Sequence, residues 1–189
     1  MDRRETLAES VLSTKTLVAR YLVGFDDTNH TTTAPKLPNH VAWTLGHLAL
    51  TMHRVSEKLD GKSPPPGDFL PPGALAHAGA KVAERVSPMS VVPLDAYDPE
   101  LVSFGSRPVD DPRGYPSFTR CGQIYNAACD RLAAAVRHAD DAALDRLVKW
   151  GAGETPLWLL VMRMVFHNGM HTGQVADLRR ALGFKSVFA

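Results

Sequence analysis

The sequence predicts an all-α fold, a four-helix bundle with a long crossover connection between its second and third helices. Three observations lead there. Four long segments repeat apolar residues at steps of three and four, no segment alternates long enough to make a convincing strand, and eleven of the 14 prolines fall between residues 61 and 116. At 189 residues and 44% hydrophobic composition the chain fits one domain, 1–189, with 61–116 as a connection and not a domain of its own.

The first helix is expected from about Glu5 to Gly24, with Leu7, Val11, Thr14, Val18 and Tyr21 or Leu22 on its inner stripe and Gly24 as its stop. Residues 26–38 follow as a polar loop rich in turn formers. The second helix begins near Asn39, a suitable N-cap after Pro38, and runs to about Leu59 before Asp60-Gly61. Pro64-Pro65-Pro66-Gly67 and Pro71-Pro72-Gly73 make the next stretch mostly loop, with a short helix over about Leu75 to Arg85. Its apolar residues Val91, Val92, Leu94, Tyr97, Leu101, Val102 and Phe104 predict an ordered excursion over the bundle, not a flexible linker.

The third helix opens on Ser117 as N-cap and carries Phe118, Cys121, Tyr125, Ala128, Leu132 and Val136 to about His138. That stripe puts Cys121 in the core and Cys129 off it. Eight residues of helix separate the two thiols by about 12 Å, too far for a disulfide, so both are expected to be reduced. Asp140 to Lys149 reads as another short helical piece. Thr155-Pro156 then opens the fourth helix with a cap and a first-turn proline, and Gly183 ends it.

Charge and hydropathy narrow the function classes. Lysine and arginine number 21 against 20 acidic residues, which gives no global field for nucleic acid or an anionic membrane. The longest apolar run, Leu157 to Met162, is far short of the ~20 residues that span a bilayer. The N-terminus lacks the apolar run of a signal peptide, so a cytoplasmic location is expected.

The chemistry concentrates in the fourth helix. Leu157, Leu160, Met164, His167, His171, Val175, Leu178 and Leu182 form one core-facing stripe that contains two histidines four residues apart. Rings at that spacing have Cβ atoms about 5–6 Å apart and can share one metal ion. The alternative is a pair of neutral core histidines hydrogen-bonded to backbone or water. Two polar rings on consecutive core layers both need buried partners, and one cation serves both. An open site needs a third ligand from another helix. Of the remaining histidines, His30, His40, His77, His138 and His53 lie in loops, in the insert, at helix ends or toward the charged half of helix two. His47 sits among Trp43, Leu45, Leu48 and Leu50, on the flank of the Leu48, Met52, Val55, Leu59 stripe; periodicity permits an inward ring without requiring it. Gly169 and Gly173 lower helix propensity, which suggests close approach by a helix or a ligand, or simple helix packing.

Two motifs resemble the DinB-like, YfiT-like family of metal-binding four-helix bundles. Asn39-His40-Val41-Ala42-Trp43-Thr44-Leu45-Gly46-His47-Leu48-Ala49 is similar to the family's second-helix histidine motif. His167-Asn168-Gly169-Met170-His171-Thr172-Gly173-Gln174, followed by Leu178-Arg179-Arg180-Ala181-Leu182-Gly183, is similar to its fourth-helix motif. Phe104-Gly105-Ser106 and Tyr115-Pro116-Ser117 resemble one branch of it. The resemblance implies a metal site formed by His47, His167 and His171 with water in the open positions. It also implies a small-molecule substrate and, in some members, a low-molecular-weight thiol used by a metal-dependent transferase or isomerase. Three neutral imidazoles suit zinc or nickel, with iron and copper also compatible.

No motif identifies a catalytic acid, base or nucleophile, and no nearby histidine or cationic run argues for a lowered thiol pKa at either cysteine. Asp177 lies about 240° around the helix from His171 and is not expected to support it. Trp43, Trp150 and Trp158 could line a pocket or pack in the core. The competing reading is a non-catalytic metal-binding or stress-response module in which the cation stabilises the bundle and a helix face makes a homodimer. From unperturbed histidines, metal affinity is expected to fall below about pH 6.5.

Overall fold

Asp2 fixes where the chain first becomes helical: its carboxylate accepts the Glu5 backbone N–H at 2.8 Å, and α1 runs Arg3–Leu22. A computed structural model of the chain describes residues 2–37, 39–71 and 95–188. Within them the protein is mostly helical. Leu7, Val11, Thr14 and Val18 are buried on α1 as their spacing predicts, Tyr21 and Leu22 are half-buried against the core, and Gly24 takes φ +92° just beyond its end.

Helix α2 spans Val41–Asp60, and its N-cap is His40, not Asn39. The Asn39 amide is drawn to the fourth long helix, where it donates to Gln174 Oε1 at 3.1 Å. His40 Nδ1 instead accepts the Trp43 N–H at 3.1 Å. Gly61, at φ +69°, closes the helix by donating its N–H to the Glu57 carbonyl at 2.9 Å.

The expected helix over Leu75–Arg85, together with Val91, Val92 and Leu94, lies outside the described residues. Of the rest of that connection, Tyr97 and Val102 are buried, the latter ending the one-turn helix α3 (Pro99–Val102). Phe104 departs from expectation and is 92% exposed. One glycine is essential here. A Cβ on Gly46 would meet the Tyr97 ring at 2.6 Å, so this position of α2 lets the ring lie flat on the helix while its hydroxyl donates to the Ala42 carbonyl at 2.8 Å.

Helix α4 (Phe118–His138) starts at the Ser117 cap as expected. Cys129, expected off the stripe, is as fully buried as Cys121, because α1 packs on that flank and brings Thr14 to it. Both thiols are free. The largest correction follows α4. Helix α5 stops at Asp145 (Asp141–Asp145), and β1 (Leu147–Trp150) pairs antiparallel with β2 (Gly153–Pro156). Gly151 at φ +62° makes the tight turn between them. Thr155 therefore sits opposite Val148 in the hairpin, and Pro156 precedes α6 (Leu157–Ala181) as an N-cap without a side-chain cap bond.

Helix α2 packs against α4 and α6, and α1 packs against the same two, so each long helix has two long neighbours. Leu45, Leu48, Met52, Ile124, Tyr125, Leu132, Leu160 and Leu178 are fully buried between them. Among the described residues no helix is long and apolar enough to cross a membrane.

Candidate metal centre

Helices α2 and α6 run antiparallel, with Asn39 beside Gln174 at one end and Lys58 over the Trp150 ring at the other. Near the middle of this pair, His47 from α2 meets His167 and His171 from successive turns of α6. His47 Nε2 lies 3.2 Å from His167 Nε2, and His171 Nε2 lies 3.1 Å from it. One ring nitrogen from each of the three histidines falls within 4.8 Å of the others. The flank position of His47 on the helical wheel thus faces inward, because α6 covers that flank.

Neighbouring groups fix two of the rings. His47 Nδ1–H donates to the Val102 carbonyl at 2.9 Å, and Trp43 stacks on the ring at 4.6 Å between centroids and 8° between planes. His171 Nδ1–H donates to Gln174 Oε1 at 2.9 Å, the same oxygen that accepts from Asn39. With both Nδ1 atoms acting as donors, the Nε2 atoms of His47 and His171 present lone pairs to His167.

His167 cannot satisfy both. A proton on its Nε2 serves one neighbour and leaves the other lone pair facing nitrogen; a proton on Nδ1 sets three lone pairs against each other. Its Nδ1 is buried and has no partner among the described residues. A cation between the three Nε2 atoms resolves that conflict. Two nitrogens bound at about 2.0–2.1 Å to one ion lie about 2.8–3.0 Å apart if it is octahedral and about 3.3–3.4 Å apart if it is tetrahedral, and the 3.2 and 3.1 Å that separate His167 from its neighbours fall between the two. The donor set fits a divalent transition metal, and His47, His167 and His171 could hold one.

Burial keeps all three rings neutral. It lowers the His47 pKa below the ordinary 6.5, with the nearby Arg54 charge adding to the effect and the Val102 bond opposing it. It takes His167 to about 3, helped by His171 and His47, and His171 to about 4, helped by His47 and opposed by Gln174. The expectation of proton competition below pH 6.5 is therefore corrected for two of the rings: in the folded apo protein His167 and His171 hold off protons until well into the acid range, and His47 shifts in the same direction.

The other histidines are engaged elsewhere. His30 Nε2 is 3.3 Å from the Pro116 carbonyl, His40 caps α2, His53 is buried beside Arg131, and His138 is exposed. His77 lies outside the described residues. Asp177 is exposed and bonds Arg180, as its position on α6 predicts. A Cβ on Gly169 or Gly173 would meet nothing within 4 Å, so close approach explains neither.

Beside the triad a cavity of about 690 Å³ opens on His47 and His167. Trp150 lines it, whereas Trp158 packs partly buried against the core. Three features of this site escaped sequence reasoning. The Val102 carbonyl is backbone from a distant segment and carries no sequence signal. Gln174, three residues after His171, and Arg54, seven after His47, lie at spacings that share a helix face with the ligands and could have been found.

The arrangement defines a helical protein with an intramolecular three-histidine centre able to hold a metal. A family model described as the DinB superfamily matches residues 12–175, and the chain belongs to that superfamily. No curated protein and no solved structure matched it.

Proposed function

We propose that the chain is a single-domain four-helix bundle of the DinB kind, crossing over through 61–116, and that it works as a metal-dependent enzyme on a small molecule. His47, His167 and His171 hold a divalent transition metal, zinc or nickel first, with the remaining positions facing the cavity. One observation carries the reading: three imidazoles turn their Nε2 atoms toward one another beside an open cavity that His47 and His167 line, with two of the rings locked by Val102 and Gln174. A divalent cation held there supplies Lewis acidity to whatever molecule occupies the open positions.

The chain's own groups do the rest. Val102 and Gln174 hold two ring tautomers, so no reorganisation is needed on loading. Trp43 prevents the His47 ring from rotating away. The mostly apolar cavity wall excludes water from the reacting end of a bound molecule. The superfamily resemblance extends the proposal to a low-molecular-weight thiol as cosubstrate of a transferase or isomerase reaction, seated in this same cavity. The opening beside the ligands favours this reading over a closed structural cation.

Metal analysis of untagged protein, followed by thiol and electrophile screening of the loaded form, tests it. We expect one ion per chain and thiol-dependent turnover that disappears in His171→Ala. A protein that takes up no divalent metal at neutral pH would overturn the proposal.

A further inference from the structure

We infer that the cavity over the triad binds an amphipathic oxyanion, with its acid group on Arg54 and Arg163 and its apolar body pointing toward the histidines. The inference deepens the proposed function by naming its ligand class, and it depends on that reading only for what meets the far end of the molecule. Because α2 and α6 are antiparallel, Arg54, two turns beyond His47, and Arg163, one turn before His167, lie on the same side of the triad. The helical rise puts them about 10 Å and 6 Å along their axes from those ligands. Both line the cavity, and no carboxylate lines it among the described residues.

Neither arginine makes an ion pair or side-chain hydrogen bond within the described residues, whereas Arg120, Arg131, Arg137 and Arg179 are all engaged. A paired guanidinium fork suits a carboxylate or phosphate group. The rest of the wall is mostly apolar, built from Leu50, Trp150, Met164, Phe166 and Met170, with Thr51 and Ser103 as its polar side chains. Phe166 is 74% exposed and Met170 56% exposed, and Phe104 joins them in lining the cavity at 92% exposure. Large apolar side chains gathered around a cavity of about 690 Å³ are suited to covering the body of a small organic ligand.

Isothermal titration of zinc-loaded protein with octanoate, octyl phosphate and octanol tests the inference. The two anions distinguish a carboxylate from a phosphate head, and octanol reports the apolar wall alone. We expect at least one anion to bind more tightly than octanol. Arg54→Gln and Arg163→Gln should each weaken that anion about fivefold, and the double variant more than about tenfold, with octanol unchanged. Octanol binding as tightly as both anions, or full anion affinity in the double variant, would overturn it. Loss of anion binding in His171→Ala but not in the arginine variants would also overturn it, by placing the acid on the metal. Zinc titration of the double variant keeps the two proposals separable: unchanged zinc affinity with lost anion binding supports both, and absent zinc binding in wild type sinks only the metal reading.

Discussion

Helix α2 carries two buried histidines six residues apart, and their surroundings make them opposites. His47 donates from Nδ1 to a backbone carbonyl and presents Nε2 to two more imidazoles. His53 accepts at Nδ1 from Arg131 at 3.1 Å, so its proton sits on Nε2, which faces Asp68 at 3.7 Å without a hydrogen bond. Burial lowers both rings' pKa values, His53 to about 4, so depth and neutrality do not separate them. The tautomer and the neighbours do. The Arg131 guanidinium occupies the lone pair a metal would need on His53, while the Val102 carbonyl holds the proton of His47 on Nδ1 and leaves its Nε2 lone pair facing the other two rings.

The largest expected effect comes from removing a triad ligand. His171→Ala should weaken metal binding by more than about 100-fold while circular dichroism shows the helices retained, since the apolar core supplies most of the stability. Chelator treatment of wild type should likewise leave the helical signal in place. Unfolding in either case would make the metal structural.

Next is Gly46→Ala, whose added methyl would meet the Tyr97 ring. It should lower stability by about 1–3 kcal/mol in thermal denaturation and also weaken metal binding, because Tyr97 anchors the segment that ends in the Val102 carbonyl. A variant with wild-type stability and affinity would show that the contact is not tight. Gln174→Ala should weaken metal affinity by about tenfold, by freeing the His171 ring, with little effect on the midpoint of unfolding.

The smallest effect is in acid. The unfolded chain titrates its histidines near the ordinary 6.5, while the fold holds His40, His53 and His171 at about 4 and His167 at about 3. Stability is therefore complete above pH 6.5 and declines as pH falls toward 4, because the unfolded state takes up protons that the folded state refuses. Denaturant unfolding of apo protein at several pH values should show that slope, and His53→Gln should make it shallower. A flat profile between pH 6.5 and 4 would show that these rings keep ordinary values.

The long helices were legible because their stripes run for many turns, so the periodicity had room to show. The hairpin was not, since β1 and β2 have four residues each and period two cannot be distinguished over so short a run. Two of the three triad residues were legible in the same way: His167 and His171 lie at i and i+4 of one stripe. His47 stood on a flank, and only the family resemblance selected it, because which flank is covered depends on how helices pack. The Val102 carbonyl that sets its tautomer was beyond reach, as backbone atoms of a distant connection leave no mark on the sequence around the ligand.

The central claim is that tautomer and neighbours, not burial, make the metal centre, and the paired substitutions on α2 test it most directly. Equilibrium dialysis against zinc at neutral pH, followed by metal analysis, should give about one ion per chain for wild type and for His53→Ala, and almost none for His47→Ala. Zinc retained at full stoichiometry and affinity by His47→Ala, or lost from folded His53→Ala, would contradict the account.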